Sequence, residues 1–237
     1  MLLQSFDFPI QKFLTGFANH NRLFDECVYA LSNFDTFKGI AMMSLLWFAW
    51  FYRSASETSE QEAHRQTHLV IVLIGSITAV ILSRILQMVL HVHQRPVLAN
   101  LGLDFPSVVD PSTVNAWNSF PSDHAMLFFA LATGIWQINR AAGGVGLAWT
   151  IFVVCLPRVY LGIHYPSDVV AGAVLGVLTM LAFERLPFRG IAARVQSWSK
   201  TRPGTFYWCA FMLTEQVAHL FDDARGLASM MFAFFKS

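Results

Sequence analysis

Three short clusters of polar residues stand at the ends of apolar stretches in this 237-residue sequence. Arg95 follows one apolar stretch, the tetrapeptide PSDH at 121–124 opens a second, and the segment "RVYLGIHYPSD" at 158–168 joins two more. Arginine binds phosphate through a planar fork of donors that keeps its charge, so Arg95 and Arg158 suit a phosphoryl group. The helix that PSDH opens adds backbone N–H groups, which also favour an anion.

Histidines in two of these clusters have the chemistry for hydrolysis. Near a bound phosphoryl group, one histidine can attack phosphorus while the other gives a proton to the leaving oxygen. His164 and Asp168 are four residues apart, a spacing at which a carboxylate holds one imidazole nitrogen protonated and presents the other as a nucleophile. Taken alone, each feature also has a structural interpretation: Ser122 is an ordinary helix cap, and Arg158 could anchor a helix at a membrane surface.

The composition indicates a membrane protein. Hydrophobic residues make up 55% of the chain, charged residues 13%, and the mean hydropathy is +0.48, values that suit a membrane more than water. The apolar residues form runs close to the ~20 residues that cross a bilayer as a helix. We therefore expect an all-α fold, a polytopic transmembrane helical bundle of five or six spans. The expected spans are 37–52, 69–91, 122–138, 144–161, 169–183 and 205–219.

Three regions are expected along the chain. Residues 1–36, with Asp7 and Pro9 among apolar positions, indicate an amphipathic segment at the membrane interface. Residues 37–186 form the transmembrane bundle and hold all three polar clusters. Residues 187–237 comprise a basic loop, a last span and a C-terminal tail.

Basic residues set the expected orientation. The segments 53–68 and 184–204 would lie on one side of the membrane, and the second is rich in arginine and lysine. By the positive-inside rule this side is cytoplasmic, so the three polar clusters face outward. The net charge of +1 argues against a nucleic-acid partner.

The three clusters, in this order, resemble the signature of the type 2 phosphatidic acid phosphatase (PAP2) superfamily. The family's pattern is Lys-x6-Arg-Pro, then Pro-Ser-Gly-His, then Ser-Arg-x5-His-x3-Asp. This chain has Arg95 before a proline, PSDH at 121–124, and Arg158 followed by His164 and Asp168 at the same spacing. The resemblance covers residues 84–183 closely.

The resemblance implies a metal-independent lipid phosphatase that needs no cofactor. His164 would be the nucleophile that forms a phosphohistidine, Asp168 would orient it, and His124 would be the general acid. The residues implied to bind the substrate phosphate are Arg95, Arg158, Ser122 and Asp123.

Three positions depart from the family pattern. Met88 stands in place of the lysine, Asp123 in place of the glycine, and Pro157 in place of the serine before the arginine. The first change removes one phosphate-binding cation, although His91 and His93 are equally consistent with structural histidines. The candidates to supply the missing charge are Arg84, one helical turn before the methionine and on the same face, His91 and His93.

Two stretches resemble one branch of the family. "SFPSDHA" at 119–125 and "GFANHNRLFDECV" at 16–28 are similar to the bacitracin-resistance type, the bacterial undecaprenyl-diphosphate phosphatases. This similarity implies removal of a terminal phosphate from the lipid carrier of cell-wall synthesis at the outer face of the inner membrane. Phosphatidic acid, phosphatidylglycerophosphate and lipid A stay open as substrates, and so does transfer of the phosphate to another lipid.

Three further alternatives each depend on a single feature of the sequence. A protein that only binds or transports phosphorylated lipids would not need the intact set of His124, His164 and Asp168. A metal site built from His91, His93, His124 and His164 is disfavoured because no pair has the helical spacing of a ligand motif. Gly172 and Gly176 form a G-x-x-x-G motif, which favours packing within the bundle over a homodimer face.

Overall fold

The computed structural model describes residues 2–34, 36–90, 94–114 and 118–221, and every regular element in that part of the chain is helical. The all-α fold expected from the composition is thereby confirmed. The α-helices are α1 (Leu2–Thr15), α2 (Arg22–Asn33), α3 (Ala41–Phe51), α4 (Ser59–Val89), α5 (Asp123–Ile138), α6 (Arg140–Trp149), α7 (Leu156–Tyr160), α8 (Pro166–Arg185), α9 (Arg189–Thr201) and α10 (Pro203–Ala218).

Three described helices are long and apolar enough to cross a membrane. They are α4, the continuous helix Arg140–Tyr160 and α8. The second comprises α6, a π-helical turn at Thr150–Cys155 and α7. A shorter apolar helix spans Thr36–Phe51 and includes α3. These four elements match expected spans, and they support a protein that lies in the membrane.

Helix α5 lies at the centre of the bundle, between α4, α6 and α8. Its side chains are apolar on nearly every face, which is typical of a fully buried helix. Leu127, Phe128 and Leu131 are completely buried, and Gly134 lets the helix approach Val72 of α4 closely. The position of its first turn is therefore fixed by three neighbouring helices.

The G-x-x-x-G motif of α8 packs against α5. A Cβ atom at Gly172 would lie 2.5 Å from the Ser122 backbone oxygen, and one at Gly176 would lie 2.3 Å from the Met126 backbone oxygen. A side chain at either glycine would collide with the backbone of α5, so α8 can come this close only because both positions are glycine. Packing within the bundle, the favoured alternative, is thus observed, and it brings the first turns of α5 and α8 side by side.

The N-terminal helices cover the end of the bundle where α5 and α8 begin. Helix α1 packs against α7 and α8, and α2 packs against α7. Helix α1 exposes Phe6, Phe8 and Phe13 but buries Asp7 and Gln11 against the bundle. Its location at a membrane interface stays a prediction.

Two segments differ from the expected loops. Helix α4 begins at Ser59, earlier than expected, because Thr58 and Gln61 form a capping box at its start. The basic stretch after α8 is largely the helix α9, which packs against α4. Its polar residues obscured this in the sequence, since Gln196 and Ser199 are buried on the packing face.

Candidate active site

His164 lies in the turn between α7 and α8 and is almost completely buried. Its Nδ1 atom lies 3.1 Å from the Ser119 backbone oxygen and 3.5 Å from Asp168 Oδ2. Both partners can only accept a hydrogen bond when the carboxyl is ionised, so the proton of the neutral ring belongs on Nδ1. The Nε2 atom then carries the lone pair, and it is buried with no hydrogen-bond partner among the described residues.

Asp168 is held in place by the start of α8. Its Oδ2 atom accepts a hydrogen bond of 2.9 Å from the Tyr165 backbone N–H, within a capping arrangement of the first helical turn. The side chain is completely buried. The carboxylate that contacts His164 is therefore also a part of the helix cap, which restricts its movement.

The turn that carries His164 requires a glycine. Gly162 has a φ of +71°, and a Cβ atom there would lie 2.6 Å from the Phe105 ring. The left-handed backbone conformation and the close ring both exclude a side chain at this position. The backbone N–H groups of Ile163 and His164 donate to the Arg158 carbonyl oxygen, which closes the turn on the end of α7.

The tetrapeptide PSDH forms the start of α5, as the sequence predicts. The Ser122 side chain caps the helix by accepting from the Ala125 backbone N–H at 3.4 Å. The Ser122 backbone N–H donates to the Asp168 carbonyl oxygen at 3.1 Å. His124 is buried in the first turn of α5, so the two histidine clusters are joined by a direct hydrogen bond between their helices.

Arg95 contacts the turn between α7 and α8 that carries His164. Its Nη1 atom donates to the Ile163 carbonyl oxygen at 2.9 Å, and the Val97 backbone N–H donates to the Gly162 carbonyl oxygen at 2.9 Å. Burial lowers the pKa of Arg95, and the nearby charges of Asp123 and Asp168 oppose that shift. Arginine stays protonated under such conditions, so the site holds a fixed positive charge.

Arg158 supplies a second positive charge. Its side chain projects from α7, where Nη1 lies 3.5 Å from the Ser32 carbonyl oxygen of α2. Burial lowers the pKa of His164, and the charges of Arg95 and Arg158 act in the same direction while Asp168 opposes them. His164 is therefore neutral at neutral pH, as a nucleophile has to be.

The four residues predicted to bind phosphate all lie at the site, but the Asp123 side chain differs from the others in its contacts. Arg95, Arg158 and Ser122 lie around the two histidines, as expected. Asp123 lies there too, but its carboxylate contacts His124 and Arg84. Of the candidates for the missing lysine charge, Arg84 is at the site, whereas residues 91 and 93 lie outside the described residues.

The N-terminal helix supplies contacts that sequence reasoning missed. Asp7 Oδ1 accepts from the Ser167 backbone N–H at 2.8 Å, and Asp7 Oδ2 accepts from the Ser167 hydroxyl at 2.7 Å. Gln11 Nε2 lies 3.4 Å from the His164 carbonyl oxygen. The presence of Asp7 and Gln11 in a helix with many phenylalanines was a signal that this helix has polar contacts. Nothing in their spacing identified the turn that they contact.

Two cavities lie away from this cluster. One of about 460 Å³ lies beside Arg65 and Asn139, where α4 begins and α5 ends, at the end of the bundle away from the histidines. A second of about 230 Å³ is apolar and lies between α3, α4 and α10. No group of three or more His, Cys, Asp or Glu side chains in the described residues is arranged to hold a metal ion. The candidate site is thus defined by its side-chain contacts.

The fold and site define an all-α membrane protein with two histidines beside two arginines. The profile of the PAP2 superfamily matches residues 69–191, just over half of the chain. This match contains all three polar clusters. The chain belongs to the PAP2 superfamily, a family of membrane lipid phosphatases.

Individual relatives share parts of the chain. A bacitracin transport permease protein, BcrC, from Bacillus licheniformis is 47% identical over 64 residues, which are 27% of this chain and 31% of that protein. A putative undecaprenyl-diphosphatase, YbjG, from Escherichia coli is 31% identical over 109 residues, which are 45% of this chain and 52% of that protein. The chain thus matches less than two thirds of the length of either relative.

A solved structure shares the fold. The crystal structure of a transmembrane PAP2 type phosphatidylglycerolphosphate phosphatase from Bacillus subtilis superposes with a TM-score of 0.51 at 20% sequence identity. The match covers 77% of this chain and 85% of that one. The helical bundle is therefore that of a transmembrane PAP2 protein.

Proposed function

We propose that this protein is an integral membrane lipid phosphatase that removes the terminal phosphate of a polyprenyl diphosphate, undecaprenyl diphosphate, through a phosphohistidine on His164. The observation that carries the proposal is the state of His164. Its Nδ1 atom is bonded to groups that accept, its Nε2 atom is buried without a partner in the part of the chain that the structure describes, and two arginines lie beside it. A buried, neutral and oriented imidazole between positive charges suits attack on a phosphoryl group.

In the first step, the Nε2 lone pair of His164 attacks the terminal phosphorus atom. A P–N bond forms and the bond between phosphorus and the bridging oxygen breaks. The Nε2–H of a protonated His124 gives its proton to that leaving oxygen. Asp168 stabilises the positive charge that develops on His164 and keeps its ring in position.

In the second step, water attacks the phosphohistidine. The P–N bond breaks, inorganic phosphate leaves, and His164 returns to the neutral form. His124, which is neutral after the first step, accepts a proton from the water and becomes protonated again. The enzyme is thus restored, and the net reaction is hydrolysis of one phosphoanhydride bond.

Phosphate binding is assigned to the groups around the histidines. Arg95 and Arg158 supply charge and donors for the phosphoryl oxygens, and the Ser122 hydroxyl and the Asp123 backbone N–H supply further donors. Any contribution of Asp123 comes from its backbone, because an ionised carboxylate has no proton to donate. These groups stabilise the charge of the transition state without a requirement for metal.

Two observations support the choice of substrate and membrane face. The relatives include a putative undecaprenyl-diphosphatase and a bacitracin transport permease protein. The site lies at the end of the bundle opposite to α9, whose segment carries the basic residues that the positive-inside rule places in the cytoplasm. We therefore place the site at the outer face of a bacterial inner membrane.

The test is phosphate release by detergent-purified protein in EDTA. Wild type and His164→Ala are assayed in parallel on undecaprenyl diphosphate, phosphatidic acid and phosphatidylglycerophosphate. We expect release from the diphosphate by wild type and none by His164→Ala. Activity on phosphatidic acid alone would keep the mechanism and change the substrate, and loss of activity in EDTA would contradict a metal-independent reaction.

A further inference from the structure

The carboxylate of Asp123 is engaged through both oxygens. Oδ1 accepts hydrogen bonds of 2.8 Å from the backbone N–H and from Nδ1 of His124. Oδ2 lies 2.5 Å from Nη2 of Arg84. Asp123 is buried, with 6% of its surface exposed. The residue that replaces the family's glycine thus connects a histidine of the site to an arginine of α4.

These contacts determine which nitrogen of His124 is available. The Asp123 oxygen accepts, so Nδ1 of His124 carries a proton and Nε2 is the nitrogen that remains for the substrate. The arrangement parallels the other histidine, where Nδ1 of His164 faces Asp168.

We propose that Asp123 is a positioning residue for His124 and that Arg84 holds Asp123 in that position. The proposal rests on the proposed function, in which His124 is the general acid. The proton that reaches the leaving oxygen comes from Nε2 of His124. Nδ1 keeps its proton throughout, and Asp123 accepts none.

Residues near the C-terminal end of α4 stabilise the contact between Arg84 and Asp123. Gln87 Nε2 donates to the Pro121 carbonyl oxygen at 2.8 Å, and Arg84 Nη1 lies 3.5 Å from Gln87 Oε1. The same helix therefore holds both the backbone before α5 and the carboxylate in its first turn. Met88, at the position of the family's lysine, is instead 57% exposed.

The contact also changes the role expected of Arg84. Its guanidinium is directed at a buried carboxylate, which offsets its charge. An arginine in this position affects phosphate binding less than a lysine that has no carboxylate beside it. We therefore expect the loss of Arg84 to act on catalysis through Asp123 and to leave phosphate affinity nearly unchanged.

The test separates catalysis from phosphate binding in the full-length protein. Asp123→Asn keeps the size of the side chain and removes its charge, and Asp110→Asn is the matched control at an exposed aspartate in a loop. For each variant, kcat on the lipid substrate and competitive inhibition by inorganic phosphate are measured. Because inorganic phosphate is a product that binds in the phosphate position without bond formation, its inhibition constant reports phosphate binding independently of proton transfer.

We expect Asp123→Asn to lower kcat about 100-fold, at the low end of what a general acid contributes, and to change the phosphate inhibition constant by less than about threefold. Asp110→Asn should behave as wild type. Parallel losses in kcat and phosphate affinity would place Asp123 in phosphate binding and overturn the proposal. An unchanged kcat would overturn it as well.

A second variant decides the matter if Asp123→Asn does not fold. Arg84→Met, at a partly exposed residue, should lower kcat about 10-fold with an unchanged phosphate inhibition constant. An unaltered kcat, or a weaker phosphate affinity, contradicts the role given to Arg84 and with it the proposal. Failure of the proposed function is distinguishable, because wild type itself would then release no phosphate from any of the lipids.

Discussion

Removal of the Asp7 carboxylate should destabilise the site. Asp7 lies in α1, outside the three polar clusters. Asp7 is buried, and it accepts from both the backbone N–H and the hydroxyl of Ser167. Ser167 lies in the first turn of α8, between His164 and Asp168. We therefore expect Asp7→Ala to weaken both the fold and the orientation of the nucleophile.

The size of the effect follows from the groups left without a partner. A buried donor that loses its acceptor costs about 1–3 kcal/mol, and loss of a negative charge at a helix N-terminus costs about 0.3–1 kcal/mol. The Ser167 hydroxyl can rotate to another acceptor, whereas its backbone N–H cannot. We expect a loss of about 2–4 kcal/mol in the free energy of unfolding for Asp7→Ala.

The assay measures unfolding in detergent and kcat for Asp7→Ala, Ser167→Ala and the double variant. Ser167→Ala removes only the hydroxyl, so it should cost about 1 kcal/mol. The double variant should lose less than the sum, because the two residues interact directly. If Asp7→Ala is as stable as wild type, or if the two losses simply add, the assigned contact is wrong.

Three further predictions follow from the packing and charge of the site. Gly176→Val should abolish activity and lower the free energy of unfolding by more than about 3 kcal/mol, because its Cβ would lie 2.3 Å from the Met126 backbone oxygen. A melting curve equal to that of wild type would contradict this packing. Because burial lowers the pKa of His164, the neutral nucleophile should persist below the ordinary histidine value of 6.5, and activity should fall only at a still lower pH. A pH–rate profile whose acidic limb lies above that value would argue against it. Arg95→Lys should lower kcat/KM about 10-fold or more, since an ammonium group cannot replace the planar fork of donors; equal kinetics of the two proteins would exclude a direct role in phosphate binding.

The sequence predicted the parts of the fold that depend on local pattern. Apolar runs of membrane-spanning length gave the positions of α4, α8 and the helix Arg140–Tyr160. The proline and serine before Asp123 predicted the start of α5, because capping is a local interaction. The motif spacing also indicated that His164 and Asp168 would be neighbours across one helical turn.

The remaining features depend on contacts between distant segments. Asp7 and Ser167 are 160 positions apart, and no periodicity links them. Asp123 was expected to bind phosphate because it lies in the phosphate-binding motif beside Ser122. Its carboxylate instead contacts His124 and Arg84. Polar residues that are buried by a partner from another helix have the same sequence pattern as exposed ones, so α9 was expected as a loop.

The central claim is that His164 becomes phosphorylated during turnover. The most direct measurement is to mix the purified protein with undecaprenyl diphosphate labelled in its terminal phosphate, quench the reaction in alkali and locate the label by peptide mapping. Phosphohistidine survives alkali and is lost in acid. We expect an alkali-stable, acid-labile label on the peptide that contains His164, and no label in His164→Ala. A label on another residue, or one retained in His164→Ala, would contradict the mechanism.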